Sequence, residues 1–400
     1  MTSSLPRHVT FVTTSRADFG HLQWPIHAVN AHPQLRASLV VIGAHLSPEF
    51  GHTVDAIREA GCSIDAEIEC LLSSDTGIGM AKTIGLATLG LADALDRLNP
   101  DIVFIPADRY EMLAVASAAL ALRCPIAHLE GGDISAGAID DAVRNAITKM
   151  AHLHFTTTEN ARRRVIAMGE EDWRVHWVGT PSLDHLAKRT PLSDAELHEA
   201  LGVELPERFL LVAFHPVTLT QSTDAQADAL YAALDSCDDA VVFCFPNSDA
   251  DGRRLIERSE RFCAGRKNAH LFVNLEHWVY WNVLMRCTVL LGNSSSGIME
   301  APAVRKPVID IGERQKGRLC ADNTIRVAAN TGAIAQAIER VTTTEFQRKL
   351  EAIENPYGDG RASDRIAELI AGAPDRDRLL MKQALPLEAS RWGTVGSGAS

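Results

Sequence analysis

Apolar residues along this chain fall into two kinds of stretch. Short, nearly continuous runs read as buried strands: HVTFVTT (8–14), SLVVIGA (38–44), DIVFIPA (101–107), PIAHLE (125–130) and LHFTT (153–157). Such runs fit parallel strands covered on both faces. Between them lie amphipathic segments, for example 110–122 and 140–151, whose spacing predicts helices. The stretch 79–98 has membrane-like apolarity but is broken by Lys82, Asp93, Asp96 and Arg97, which predicts a core-facing helix. Strand and helix in alternation predict a doubly wound α/β fold.

The same rhythm restarts after VGTPSLDHLAKRTPLSD (178–194), which reads as a linker. FLLVAF (209–214), AVVFCF (240–245), HLFVN (270–274), TVLLGN (288–293) and PVIDIG (307–312) form the second set of strands. Two Rossmann-like domains in series, 1–182 and 183–354, predict a cleft with ligands at the C-terminal strand ends. The last segment, 384–400, has no periodicity and is expected to be a disordered tail.

Composition narrows the function. The 400 residues exceed what one core usually organises, and a formal charge of −12 argues against a nucleic-acid binder. No apolar region follows Met1, so no signal peptide, membrane anchor or membrane partner is expected. Eight cysteines without a CxxC pair predict neither a disulfide framework nor a zinc site, and a reducing, cytoplasmic setting.

The predicted strand ends gather polar clusters: SRADFGH (15–21), ADRYE (107–111), HLEGGD (128–133), HPVT (215–218), PNSDADG (246–252) and GNSSSG (292–297). The last opens a helix, so its backbone N–H groups and Ser294, Ser295 and Ser296 would suit a phosphate, with Glu300 one turn on placed for ribose hydroxyls. No GK[ST] follows it and no GxGxxG follows the first strand, which argues against NTP hydrolysis and hydride transfer. Arg16, Arg109, Arg314 and His215 could bring positive charge to a diphosphate. Around them stand Asp108, Glu130, Asp140 and Asp141, a crowd in which at least one carboxyl pKa is expected to rise. No metal is expected, since no zinc or EF-hand spacing occurs.

Taken together, SRADFG, HLSPEFG, DRYEML, HLEGGDISAGAIDDAVRNAITK, HPVTL, PNSDADG and GNSSSGIMEAP…VIDIGERQKGR resemble the hydrolysing UDP-N-acetylglucosamine 2-epimerases, in order from about Ser15 to Arg318. The resemblance implies a GT-B fold and a C-terminal helix, within 355–375, crossing back onto the first domain. It implies elimination of UDP to a 2-acetamidoglucal, then hydration with inversion at C2, giving N-acetylmannosamine and UDP for sialic-acid synthesis. By motif position Asp108, Glu130, Asp140 and Asp141 match the essential acids. Arg16, Arg109, His215, Asn247, Leu275, Ser294, Ser295, Glu300 and Arg314 match the UDP contacts, and His45 is a sugar-side candidate. No cofactor is implied, and a homodimer or homotetramer is.

The departures fall on the sugar side. Ala107 stands where the family commonly has Gly, Asp133 where Glu is frequent, and SAGAIDD is one residue longer than in some relatives. Gly20-His21 replaces polar residues of the animal enzyme. A UDP-2,4-diacetamido-2,4,6-trideoxyhexose, precursor of legionaminic-type sugars, is therefore the alternative substrate. A GT-B glycosyltransferase and a non-catalytic nucleotide-sugar binder are the competing classes.

Overall fold

A computed structural model describes residues 5–383 apart from 73, 75, 136–138, 216–222, 246–251 and 274. The expected tail, 384–400, lies outside the described residues, as does Asn247. The first parallel sheet holds β1 (Arg7–Thr13), β2 (Leu35–Ile42), β3 (Ala66–Ile68), β4 (Ile102–Pro106), β5 (Ile126–Leu129), β6 (Leu153–Thr156) and β7 (Val175–Trp177). Their order is β3-β2-β1-β4-β5-β6-β7. The second holds β8 (Phe209–Ala213), β9 (Ala240–Phe245), β10 (Ala269–Val273), β11 (Val289–Gly292), β12 (Val308–Ile311) and β13 (Thr324–Val327), ordered β10-β9-β8-β11-β12-β13. Two doubly wound domains facing across a cleft make this the GT-B arrangement.

Burial on both faces explains the apolar runs. Along β1, Phe11 packs into one core with Phe104 and Phe155, while the next residue, Val12, packs into the opposite core with Val103 and Ile105. Each such side chain contributes roughly 1.5–3 kcal/mol on burial, and Phe104→Ala would cost about 3–5 kcal/mol. The helix Gly77–Leu98 is capped by the Thr76 side chain and buries a stripe of Thr83, Ala87, Leu91 and Leu95 against the first domain. Among the described residues it is the one helix long and apolar enough to cross a membrane.

The stretch 178–194 is not an open linker. Pro181–Leu183 and Asp184–Lys188 are helical, and Leu183, Asp184 and His185 are buried. The Asp184 carboxylate accepts from the backbone N–H groups of Ala362 (3.0 Å) and Ser363 (2.7 Å), capping the helix Ala362–Ala371. That helix sinks Ile366 and Ile370 into the core of the first sheet. A carboxylate satisfied by helix N–H groups is tolerated at zero exposure, which is why this crossing packs tightly.

Strand order reverses on either side of β1 and β4 in one sheet and of β8 and β11 in the other. The loops after these four strands therefore diverge and leave room for a ligand.

Candidate active site

Those four loops border one cleft of about 550 Å³ between the domains. After β1 come Ser15 and Arg16, opening the helix Arg16–Ala31, and after β4 come Asp108 and Arg109. His215 follows β8, and Ser294 and Ser295 follow β11. Glu130, Asp140, Leu275, Glu300 and Arg314 line the same cleft.

The first-domain acids are held by backbone that is itself constrained. Ala107 (φ 47°) and Glu130 (φ 66°) both sit in the left-handed region, which costs a non-glycine residue of order 1–3 kcal/mol. Ala107 stays there because its N–H donates to the Leu129 carbonyl (3.0 Å) and its carbonyl is hydrogen-bonded to His128 Nε2 (2.8 Å). The left-handed φ is the physical reason glycine would be favoured at this position, and alanine is the least bulky alternative.

Asp108 is ion-paired with Arg144, a guanidinium only 1% exposed on the helix Ile139–Met150. Arg144 also donates to the Asp133 carbonyl (3.1 Å) and the Ser135 hydroxyl (3.0 Å), so one buried cation ties Asp108 to the loop after β5 at Asp133 and Ser135. Glu130 lies 2.9 Å from His21 Nδ1. Burial would push the Glu130 carboxyl up, but His21, with Arg318 and His128 adding to it, outweighs burial and holds the carboxyl below its usual range. The expected rise in carboxyl pKa is thus absent at Glu130, because the acid has a cationic partner that crowding arguments overlook. Burial does raise two other acids: Asp18, which lines the cleft, and Asp133, which does not line it and rises to about 6.

Two sequence candidates do not line the cleft. Asp141 accepts from the Ser135 N–H (3.0 Å) and from Arg144 (3.5 Å), pinning the loop that precedes its helix. His45 is fully buried, bridging the hydroxyls of Thr13 (2.9 Å) and Thr53 (2.8 Å), and burial takes its pKa down to about 3.

On the other wall His215 is locked by Asn293, whose side chain bonds both its N–H (2.7 Å) and its carbonyl (2.9 Å). Burial lowers the imidazole to about 3, with Arg314 adding to the effect, so His215 is a neutral hydrogen-bonding group and not a cation. The GNSSSG helix is only Ser295–Met299, five residues long. So short a helix adds little macrodipole, and local N–H and hydroxyl groups carry what anion affinity the loop has. Glu300 accepts from the Ser296 hydroxyl (2.5 Å), which accepts in turn from Tyr280 (2.9 Å).

His21, Glu111, Arg144, His277, Tyr280 and Arg318 were not among the sequence candidates. Arg318 crosses the cleft, donating to the Ile134 carbonyl (2.6 Å) and the Ser135 hydroxyl (3.3 Å) of the first domain. Gly20 lets His277 approach, since a Cβ there would lie 2.0 Å from its Nδ1. Only Arg144 carried a local signal: it stands four residues after Asp140, on the same helical face. No cluster of three or more metal-ligating side chains occurs among the described residues.

A profile of the UDP-N-acetylglucosamine 2-epimerases matches residues 27–371. The chain belongs to this family. It is 36% identical, over 95% of its length and 99% of the other's, to the GDP/UDP-N,N'-diacetylbacillosamine 2-epimerase (hydrolyzing) of Campylobacter jejuni. It is 31% identical to the UDP-N,N'-diacetylbacillosamine 2-epimerase (hydrolyzing) of Legionella pneumophila, over 94% and 98% of the two chains. The solved UDP-GlcNAc 2-epimerase of Neisseria meningitidis, bound to UDP-GlcNAc, shares the fold with a TM-score of 0.78 at 18% identity, covering 91% and 99%. An enzyme of the UDP-sugar 2-epimerase family therefore owns this cleft.

Proposed function

We propose that this epimerase hydrolyses a UDP-2,4-diacetamido-2,4,6-trideoxyhexose, releasing UDP and the free sugar inverted at C2. The names of the Campylobacter jejuni and Legionella pneumophila relatives support this sugar over UDP-N-acetylglucosamine, the first reading of the sequence. One feature of the cleft carries the same preference: Phe50, Leu71, Leu72, Met80 and Ile139 line its first-domain side. Leu72 and Ile139 are 37% and 42% exposed, apolar surface open to a ligand. A 6-methyl group and the methyl of a 4-acetamido group would cover such surface favourably, whereas sugar hydroxyls pressed against it would lose their water.

The chemistry follows from the groups present. A carboxylate takes the C2 proton, the C2–H electron pair forms the C1–C2 double bond, and the C1–O pair leaves with the diphosphate. Arg16, Arg109 and Arg314 line the cleft where they would stabilise the departing charge. Water then adds across the double bond, with protonation at C2 from the opposite face. Asp108, Glu130 and Asp140 are the acids available for these transfers. Eight free cysteines accord with a reducing, cytoplasmic setting.

The test is to incubate the purified enzyme with UDP-linked diacetamido-trideoxyhexose, its GDP-linked counterpart and UDP-N-acetylglucosamine, and to measure released nucleoside diphosphate. The highest kcat/KM is expected with the first. A higher value for either other compound would overturn the sugar or the nucleotide, and sugar remaining nucleotide-linked would overturn hydrolysis.

A further inference from the structure

Two cleft carboxylates are each backed by a basic side chain, buried for Arg144 and half-buried for His21, and the two differ in kind. Asp108 faces the guanidinium of Arg144; burial and the nearby Arg318, Arg314 and Arg164 lower its pKa, but a guanidinium starts so high that it stays charged at neutral pH. Glu130 faces an imidazole, His21 Nδ1, at 2.9 Å, with side-chain exposures of 9% and 22%. Both members of the second pair border the cleft, so both are within reach of a bound sugar. Asp108 is thereby a fixed charge, whereas the charge on Glu130 depends on a group that can titrate.

We propose that His21 is a positioning residue for the epimerisation: as an imidazolium against Glu130, it keeps that buried carboxylate ionised so that Glu130 accepts the C2 proton. This rests on the reaction proposed above. In the step, the proton passes from C2 to a Glu130 oxygen, the electron pairs move to the C1–C2 bond and to the departing diphosphate, and His21 keeps its own proton throughout. The neutral Glu130 returns the proton to solvent after UDP has left.

The surroundings favour this division. His21 is faced by Glu130 after β5, by Glu300 from the second domain, by Asp18 on its own helix and by His185, whose ring sits at the Gly20 carbonyl (3.1 Å). Glu130 is faced by His21, Arg318 and His128, with Asp133 as a nearby like charge. Burial alone would lower the His21 pKa; the Glu130 carboxylate, with Glu300 and Asp18 adding to it, outweighs burial and raises the group to about 9. The pair is therefore charged at neutral pH and is undone from the alkaline side by loss of the His21 proton.

Two measurements test this. The first is an NMR titration of histidine-labelled enzyme without substrate, with His21 assigned by His21→Gln. His21 is expected to titrate well above the ordinary histidine range of about 6.5, and to return towards it in Glu130→Gln. Titration of the wild-type ring near or below about 6.5 overturns the pairing. The second is the pH dependence of kcat/KM. His21→Gln is expected to shift the acid limb upward by about one pH unit or more, with kcat falling further than KM changes. His21→Lys is expected to restore the acid limb and to carry the alkaline limb upward, because a lysine holds its proton to higher pH. Identical limbs in all three proteins overturn the positioning role. An enzyme that passes the NMR titration but releases UDP from no sugar nucleotide refutes the reaction and leaves the pair standing.

Discussion

Asp108→Asn separates the structural from the chemical work of this acid. Arg144 is 1% exposed, and its remaining contacts are the Asp133 carbonyl at 3.1 Å, the Ser135 hydroxyl at 3.0 Å and Asp141 at 3.5 Å. Of these three contacts Asp141 alone is charged, and it is 38% exposed, so it compensates the cation poorly. Breaking a buried ion pair from one side costs about 3–5 kcal/mol, and the amide oxygen of Asn recovers part of that, which leaves about 2–3 kcal/mol. For a domain of this size each kcal/mol lowers Tm by about 2–4 °C, so melting is expected to fall by about 4–12 °C. The double variant Asp108→Leu/Arg144→Met removes both charges and is expected to regain much of that loss while staying inactive. Circular dichroism melting and UDP release measured on the same preparations decide it. An Asp108→Asn protein melting within about 1 °C of wild type would refute the claim that this pair ties Asp108 to the loop after β5.

The apolar wall makes a separate prediction: Leu72→Asn or Ile139→Asn should lower kcat/KM for the diacetamido sugar about tenfold, with little loss for UDP-N-acetylglucosamine, in a competition assay. Equal losses for both substrates would sink the idea that these side chains select the sugar. Asp133 predicts a pH-dependent gain in stability. Burial raises its folded pKa to about 6, so the cost of ionising it in place is fully present above about 6 and gone below its ordinary value. Asp133→Asn should accordingly raise Tm at pH 8 and leave it unchanged at acid pH, measured by scanning calorimetry.

Most of the fold could be read from the chain because the strands that build each core are apolar on both faces. β4 and β9 are such strands, and the runs that announce them are unbroken; β1 is buried on both faces, but Thr10 and Thr13 interrupt its apolar run. β3, β7 and β13 are short edge strands of mixed burial, and their sequence carries no comparable run. The helix Arg16–Ala31 was equally hard to read, since it holds Gly20 and Pro25 and starts with the polar residues Arg16 and Asp18. The positions of cleft residues such as Arg16, Asp108, His215 and Ser294 followed from one rule, that ligands meet parallel sheets at their C-terminal edge. The partners that tune them did not. His21 meets Glu130 across the switch point, and Arg318 meets Ser135 across the cleft, so neither contact leaves a trace in local spacing. Asp141 illustrates the converse: its motif position matched Asp140, and only the turn of the helix put it against the loop.

The most direct test of the proposed reaction is proton NMR of the wild-type enzyme turning over UDP-2,4-diacetamido-2,4,6-trideoxyhexose in deuterated water. Elimination followed by hydration predicts free UDP and a free sugar inverted at C2 with one deuterium at that carbon. A product that keeps its C2 proton, or one that stays attached to UDP, would contradict it.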